Sequence, residues 1–526
     1  MSKSANLPAP YRGMDSKTPI AALQSPFCQN LLNFNTTAAG LSLRKGSRLG
    51  DSDSAITYGN IVGSIEVNES SAVLLTTTHW IPVTDGVFGT PVPVGTGNPP
   101  FNPANLVLFN GVVYAFPASA TRSIYTYTVA SGVSAVTGYN PVSDLMSTGC
   151  VYKNRLYIAT ASSASYSYSE INSISGELTS VDLNGITSYG SSIVGINKIT
   201  LTNSMGASEY LVFVFRSGEV LFYSGSFPNA ADWSIQGRGY IDSPIPYGKF
   251  IDHNGDTLLI TKGGLVSLRN VFLAGTDEVL NYNLSSQVRK EWQECVRLIS
   301  ISGGWFPEFF QSVSGRYWKS KTRLVIMFPV NTEIEGSSTG CTVFIFDTEL
   351  QSWTIHQLKQ FYGSIAPAYL QFAGGLLNLG TELFVHSGYV SDLAIWYYEG
   401  DGSLADETYN DGIAGDIYYP YEMISAPIPF PKTAVYNATL VEPIIESDLY
   451  AETNWSLIAD FGKQSSGNQT CDAITTAVAK PAANVGITNA TYVQVKLAGT
   501  TVADKTVGLD LYSYNVWYDN GETGSR

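Results

Sequence analysis

From about residue 55 to residue 425 the chain repeats one pattern: a short apolar run, a turn signal, and a second apolar run. Asn105 to Pro117 places Leu106-Val107-Leu108-Phe109 and Val112-Val113-Tyr114-Ala115-Phe116 on either side of Asn110-Gly111. That dipeptide supplies the positive backbone angles of a tight hairpin, so it predicts two antiparallel strands. Cys150 to Ile158, Val214 to Tyr223 and Ile251 to Ile260 have the same shape. So do Leu324–Val330 with Thr342–Phe346, and Tyr369–Leu379 leading into Leu383-Phe384-Val385. Helical spacing is clear in one place, Ser285 to Leu298, where Val288, Trp292, Cys295 and Val296 fall on one face. This predicts a single inserted amphipathic helix, either a packed crossover or a partner surface.

The first fifty residues read differently. Leu7-Pro8-Ala9-Pro10-Tyr11-Arg12-Gly13 is held extended by its prolines. Ser25-Pro26 resembles a helix start, with Phe27, Leu31 and Leu32 as the apolar stripe of a short helix. Gly40-Leu41-Ser42-Leu43-Arg44-Lys45-Gly46 alternates between two glycines and predicts a strand. The last hundred residues alternate again, in Thr491–Leu497 and Leu509–Tyr514. The expected fold class is all-β: a β-propeller core over 51–425, an extended arm over 1–50, and a β-rich segment over 426–526. That last segment forms a small domain or supplies ring-closing strands. Hairpin units of roughly 40 to 60 residues suit propeller blades, whose radial packing leaves only short sheet edges. Phe344 to Thr354 and Leu221 to Ile235 each set an aspartate and a tryptophan around a turn, with the tryptophan expected to cap a blade against its neighbour.

Composition narrows the function. Charged residues are 14% of the chain, against roughly 25% for ordinary soluble domains. Acidic residues outnumber basic ones, 44 to 29, for a net charge of −15. With 44% hydrophobic residues, 32 Tyr and 49 Gly, disorder is excluded and a strand-and-turn protein favoured. Apolar runs such as Leu211–Phe215 and Leu324–Val330 fall far short of the roughly 20 residues of a membrane helix, so no span is expected. The stretch Met1–Asn6 lacks an apolar signal core, and secretion by that route is not expected. The five cysteines (Cys28, Cys150, Cys295, Cys341, Cys471) are odd in number and far apart, which argues against a disulfide framework or a structural zinc site.

Candidate chemistry is sparse. His79, His253, His356 and His386 stand singly, without metal-ligand spacing. No phosphate loop or nucleophile elbow occurs. Asp252-His253-Asn254-Gly255-Asp256 begins like a calcium loop, but Thr257 stands where that loop needs glycine, and a hairpin turn is the better reading. Glu399-Gly400-Asp401-Gly402 with Asp406-Glu407 is an acidic loop, read as solvated. The Ser-x-Asp-x-Gly-x-x-Trp box of propeller sialidases is absent. A kelch-like scaffold is disfavoured because Gly263-Gly264, Gly303-Gly304 and Gly374-Gly375 do not recur in register. No catalytic, cofactor or metal site is expected.

Three segments, in order, resemble the β-propeller nozzle or hub proteins at the end of the tail tube of short-tailed bacteriophages. The arm carries Pro8, Pro10, Gly13-Met14-Asp15, Pro19, Leu31-Leu32-Asn33 and the Gly40–Gly46 run, with Cys28 where that family usually has alanine. The middle carries Asp232-Trp233, Pro244 and Leu258–Leu265; the close carries Gly508–Leu511 and Val516–Gly521. The resemblance implies a structural virion protein with no enzymatic activity and no cofactor, assembled in the host bacterial cytoplasm. It would form a homohexameric ring below the tail adaptor that joins it to the portal, beside tail fibres or spikes, with genome double-stranded DNA passing through without sequence-specific binding. An acidic wall suits such a conduit, since phosphates are repelled rather than held. The alternative is a receptor-binding or carbohydrate-active propeller whose Tyr and Trp stack on sugars.

The arm is then expected to be a docking latch, onto an adjacent subunit or onto the propeller itself, with Phe27, Leu31, Leu41 and Leu43 buried on that surface and Arg44 against a carboxylate or carbonyl. Four such side chains contribute roughly 6–12 kcal/mol. Ordering some forty residues costs more, at about 1–2 kcal/mol each. A mobile arm in the isolated subunit follows unless strand pairing adds to its docking, and removal of residues 1–46 is expected to leave the propeller folded but to block ring assembly or attachment to the tail.

Overall fold

The computed structural model describes residues 3–520 except 54–60, 95–105, 117–123, 137–138, 141–145, 161, 204–205, 243, 275–282, 303–312, 331–339, 360–374, 387–392, 400–404, 411–412, 430–435, 448, 450–452, 460–463, 467–468, 471–482, 491 and 502–508. The chain is mostly β-strand, with few helices. Among the described residues no helix is long and apolar enough to cross a membrane.

Six small antiparallel sheets and, between the fifth and the last of them, a four-stranded antiparallel part of an eleven-stranded sheet follow one another along the middle of the chain and are numbered here as seven. Their first strands are Ile61–Glu66, Val107–Phe109, Met146–Tyr152, Ile193–Asn203, Pro244–His253, Ser314–Trp318 and Leu376–Leu379. Within each sheet the strands pair mostly in chain order, as the hairpin signals require. Asn110 and Gly111 take φ of 50° and 74°, Lys153 and Asn154 47° and 56°, and Asn254 and Gly255 49° and 77°. All six are left-handed, the geometry that matches strand twist in a two-residue hairpin.

Apolar clusters join each sheet to the next. Trp80 meets Tyr127 between the first and second, and Tyr114 meets Leu156 between the second and third. Tyr166 meets Phe213 between the third and fourth, and Phe222 meets Leu259 between the fourth and fifth. Ile251 and Ile326 share the core between the fifth and sixth, and Val343 and Leu383 that between the sixth and seventh. A final cluster joins Phe384 of the seventh sheet to Leu74 and Ile81 of the first. The links therefore run in a cycle. The seventh sheet takes its fourth strand, Arg48–Asp53, from the other end of the chain, where Asp53 lies opposite Leu393 and Arg48 opposite Tyr397.

Both chain ends build a second body. We label the N-terminal strands β1 (Lys3–Pro8), β2 (Cys28–Leu32), β3 (Phe34–Thr37), β4 (Gly40–Leu43) and β5 (Arg48–Asp53). β1 runs antiparallel to Leu509–Asn520, with Lys3 opposite Tyr518 and Pro8 opposite Ser513. β4 pairs with the same strand through Leu41 and Leu511. Leu509–Asn520 pairs on with Tyr436–Ser447, and that with Ala483–Ala490. β2 joins this body to the seven-sheet cycle. It lies antiparallel to Pro420–Ser425 on one side and parallel to the sixth sheet on the other, with Leu32 opposite Ile355.

Two expectations need correction, and one of two alternatives is seen. Residues 28–32 form a strand, not a helix, because pairing on both edges outweighs the helical spacing of Phe27 and Leu31. The arm lies on its own chain, with its strands paired and Leu31, Leu41 and Leu43 buried there. A second helix, α1 (Leu268–Ala274), follows the fifth sheet and buries Leu268 and Val271. The expected helix is present as α2 (Arg289–Ser302). Its Val288–Trp292–Cys295–Ile299 stripe is buried, and Trp292 meets Phe328 edge-on at 4.9 Å and donates Nε1–H to the Thr261 carbonyl at 3.0 Å. It is a packed crossover.

Candidate functional site at the arm seam

The sequence-selected residues converge where the arm crosses the sixth and seventh sheets. Leu31, Leu41 and Leu43 enter one cluster with Trp353, Tyr419 and Leu511. Phe27 stays outside it, half-buried. Two glycines set how closely the arm can lie. Gly13, at φ 73°, bridges Trp353 so tightly that a β-carbon would overlap the Trp353 carbonyl. Gly40 faces Leu511 in the same way. Neither position admits a side chain. Between them Met14 N–H donates to Trp353 O at 2.8 Å, and Cys28 N–H to Gly13 O at 3.0 Å.

Next to this apolar weld lies a buried polar seam. Arg44 is 1% exposed and lies 3.8 Å from the centre of the Tyr419 ring. Its guanidinium donates to Asn33 Oδ1 at 3.0 Å, to Lys45 O at 3.0 Å and to Gln357 O at 2.9 Å. Tyr419 Oη returns a hydrogen bond to the Arg44 carbonyl. The charge is thus dispersed over neutral oxygens and a ring face, a workable way to bury a cation whose planar donors match carbonyl geometry. Asn33 (φ 59°) is central: its Oδ1 also accepts the Gln357 N–H at 2.8 Å, and its amide reaches Pro420 O at 2.6 Å.

His356 bridges the seam to the seventh sheet. Nδ1 lies 2.8 Å from Tyr398 Oη and Nε2 3.1 Å from the Phe34 carbonyl. A carbonyl only accepts, so Nε2 carries the proton and Nδ1 accepts from tyrosine. Burial, and then the nearby Arg44 charge, hold its pKa well below the usual imidazole range, so it is neutral. Beside it, Arg323 donates to Asn35 Oδ1 at 3.0 Å and lies 3.7 Å from both Asp347 and Glu399. Asn35 donates to Glu399 Oε1 at 2.8 Å, so the described end of the acidic loop is part of this structural network. Asp401 and Gly402 lie outside the described residues, as do the side chains of Asp406 and Glu407.

Chemically the seam is a fastener. Arg44 is wrapped, His356 uses both ring nitrogens, and burial pushes the Cys28 thiol far up. Ser16 extends the hold to α2, donating to Glu291, whose carboxyl is raised by burial. Elsewhere, Asp256 of the expected turn accepts the Arg269 N–H at 2.9 Å at the start of α1. Among the described residues no three His, Cys, Asp or Glu side chains gather as a metal site. Cys28, Cys150, Cys295 and Cys341 are buried free thiols, and Cys471 lies outside the described residues.

Sequence reading missed Asn33, Asn35, Gln357 and Tyr419, whose partners lie hundreds of positions away. It also missed a recurrent signal. Gly63, Gly149, Gly195, Gly248 and Gly315 lie in first strands, and Gly375 immediately precedes one. A β-carbon on Gly195 would come 2.7 Å from Phe250, one on Gly248 2.7 Å from Gly195, and one on Gly375 2.9 Å from Ser64. The first strands of neighbouring sheets meet at these glycines.

No protein-family model matches the chain, and no curated protein sequence matches it. Among solved structures, BBS1N in the crystal structure of its complex with ARL6DN is similar at 10% identity and a TM-score of 0.39, over 68% of this chain and 98% of that one.

Proposed function

We propose that the chain is a β-propeller subunit of a short-tailed bacteriophage nozzle or tail hub: a non-enzymatic virion protein that assembles as a homohexamer and conducts genome DNA. In this reading the seven sheets are blades and β5 closes the ring by completing the last of them. The observation that carries it is where the resembling segments fall. The arm motif and the terminal strand motif, at opposite ends of the sequence, are hydrogen-bonded neighbours in one sheet, and the middle motif lies in the fourth and fifth sheets. Motifs that serve one architecture should meet in this way. The net charge of −15 suits a wall that does not retain DNA. A tail adaptor and fibres or spikes are the proposed neighbours, and the body built from both chain ends is the proposed contact to the adaptor. Electron microscopy of the purified chain tests the reading. Sixfold rings, and the same rings at the tail tip of particles, are the expected result; a chain that stays monomeric and is absent from particles overturns it.

A receptor-binding or carbohydrate-active propeller is favoured by one feature. Tyr189 is 66% exposed and packs edge-on to Tyr240 with centroids 5.4 Å apart, an aromatic platform that a sugar face can cover. Glycan-array binding lost in Tyr189→Ala would support it, and binding no higher than background would remove it.

A further inference from the structure

The loop 183–190 leads from the last strand of the third sheet, Thr179–Asp182, to the first strand of the fourth. It is exposed along most of its length and yet held at three points. The Ile186 and Thr187 N–H groups both donate to Leu183 O, at 2.9 and 3.0 Å. Glu219, whose side chain is fully buried, accepts the Ser188 N–H on both carboxylate oxygens, at 3.2 and 3.0 Å. Arg238 completes the hold: Nη1 lies 3.3 Å from Glu219 Oε1 and donates to Ser188 Oγ, and Nη2 donates to Ile186 O at 2.8 Å. A carboxylate is tolerated in the interior only when it is paired and hydrogen-bonded, and both conditions are met here by the loop and by Arg238. What this fastening fixes in place is Tyr189, a side chain left in solvent.

Three of these side chains share one face of the fourth sheet. Glu219 stands directly opposite Tyr240 across its last two strands, and Arg238 lies two residues before Tyr240, about 7 Å along the strand. The rings of Tyr189 and Tyr240 stand at 79° with centroids 5.4 Å apart, which makes a two-walled aromatic corner open to water. Arg238 closes its side, since it is next but one to Tyr240 and is bonded to Ser188, the neighbour of Tyr189. The bonds that hold the loop leave Arg238 Nε–H and one hydrogen of Nη2 without an acceptor among the described residues.

We propose that the Tyr189–Tyr240 corner and Arg238 form a binding site for an uncharged pyranose, a hexose or N-acetylhexosamine unit of a surface glycan. The proposal rests on the receptor-binding reading and narrows it to one sugar class and one site. A pyranose has a face of slightly positive C–H hydrogens, which suits the negative face of a tyrosine ring, and a rim of hydroxyl oxygens, which accept from guanidinium N–H groups. Two perpendicular walls take the face and the edge of one such ring. The fastening of the loop lowers the cost of binding, because a tyrosine on a tied segment gives up little freedom when it is covered. Charge decides the class. Glu219 already neutralises Arg238 and the chain carries −15, so a nucleic acid or a uronate polymer meets no net attraction here.

The test is a glycan array carrying neutral oligosaccharides and their sialylated or uronate-bearing counterparts, probed with the full chain. The neutral oligosaccharide bound best is then titrated calorimetrically, and a Kd of about 1 mM or tighter is expected. Tyr189→Ala should weaken binding about tenfold or more, while Tyr189→Phe keeps the ring face and should stay within about twofold of wild type. Arg238→Met should weaken it about tenfold through the lost donors. Thermal unfolding establishes that the variants are folded, and the Tyr189 pair leaves the fastening of the loop intact. No glycan bound above background overturns the site and the receptor-binding reading together. Binding that is unchanged in Tyr189→Ala overturns the site and leaves that reading standing. A preference for the acidic counterparts overturns the assignment to an uncharged sugar, and a Tyr189→Phe as weak as Tyr189→Ala overturns the stacked geometry.

Discussion

The seven-sheet cycle and the body made from both chain ends are built from the same antiparallel strands, but they are specified differently. In the cycle each strand pairs mainly with its neighbour in sequence, across a turn whose residues announce it, as at Asn110-Gly111. In the terminal body Asn6 donates to Asn515, 509 residues away. The first region is held by many separate interfaces between repeated units, the second by one long-range weld and a single buried seam. Damage should therefore remain local in the cycle and become global at the weld.

The strongest test is removal of residues 1–46. This deletion takes away β1 to β4, uncovers strands Leu509–Asn520 and Pro420–Ser425, and opens the side of Trp353. We expect loss of cooperative unfolding and of soluble protein, read by calorimetry and sedimentation. A truncated chain with an unchanged unfolding midpoint would show that the terminal body is dispensable to the cycle. Next in size is Arg44→Met. It strands Gln357 O in a dry site, takes one of its two donors from Asn33 Oδ1 and loses the Tyr419 stacking, so a destabilisation of about 3 kcal/mol is expected in denaturant titration.

A smaller effect is expected within the cycle. Gly195→Ala forces Phe250 aside and should cost about 1–3 kcal/mol through overpacking at one sheet interface, without changing cooperativity. Comparing the m-values of this variant and Arg44→Met sharpens the contrast between local and global damage. Smallest is a pH effect at the seam. His356 is held neutral, with a folded pKa below that of the unfolded chain. Its contribution is therefore fully present above about pH 6.5 and is lost as pH falls through that value towards the folded pKa. Wild type should lose up to about 1.4 kcal/mol per pH unit more than His356→Gln over that range, and identical pH profiles would show that the imidazole is not so constrained.

This contrast also explains what could be read from the sequence. Hairpins at 107–115, 150–158, 214–223 and 251–260 and the buried stripe of α2 were legible because local spacing determines them. The strand at Cys28–Leu32 was not: its identity depends on edges offered by Glu422–Ser425 and Ile355, which no local window contains. Likewise Leu31, Leu41, Leu43 and Arg44 could be recognised as residues needing a surface, while the surface itself, Tyr419 and Gln357 of the same chain, became visible only in the fold. The first-strand glycines were in plain sight, but a glycine among forty-nine signals nothing until its neighbour across the interface is known.

The pairing of β1 and β4 with Leu509–Asn520, and of β5 with Leu393–Tyr397, has a consequence during synthesis. A ribosome adding about 5–20 residues per second needs on the order of half a minute to a minute and a half to travel from the arm to its final partner strand. Throughout that time the arm has emerged but has nothing to pair with, and its strand edges can recruit other nascent chains. Prolines 8, 10 and 19 carry no N–H to offer a foreign strand, so fewer positions of the waiting arm are open to such pairing.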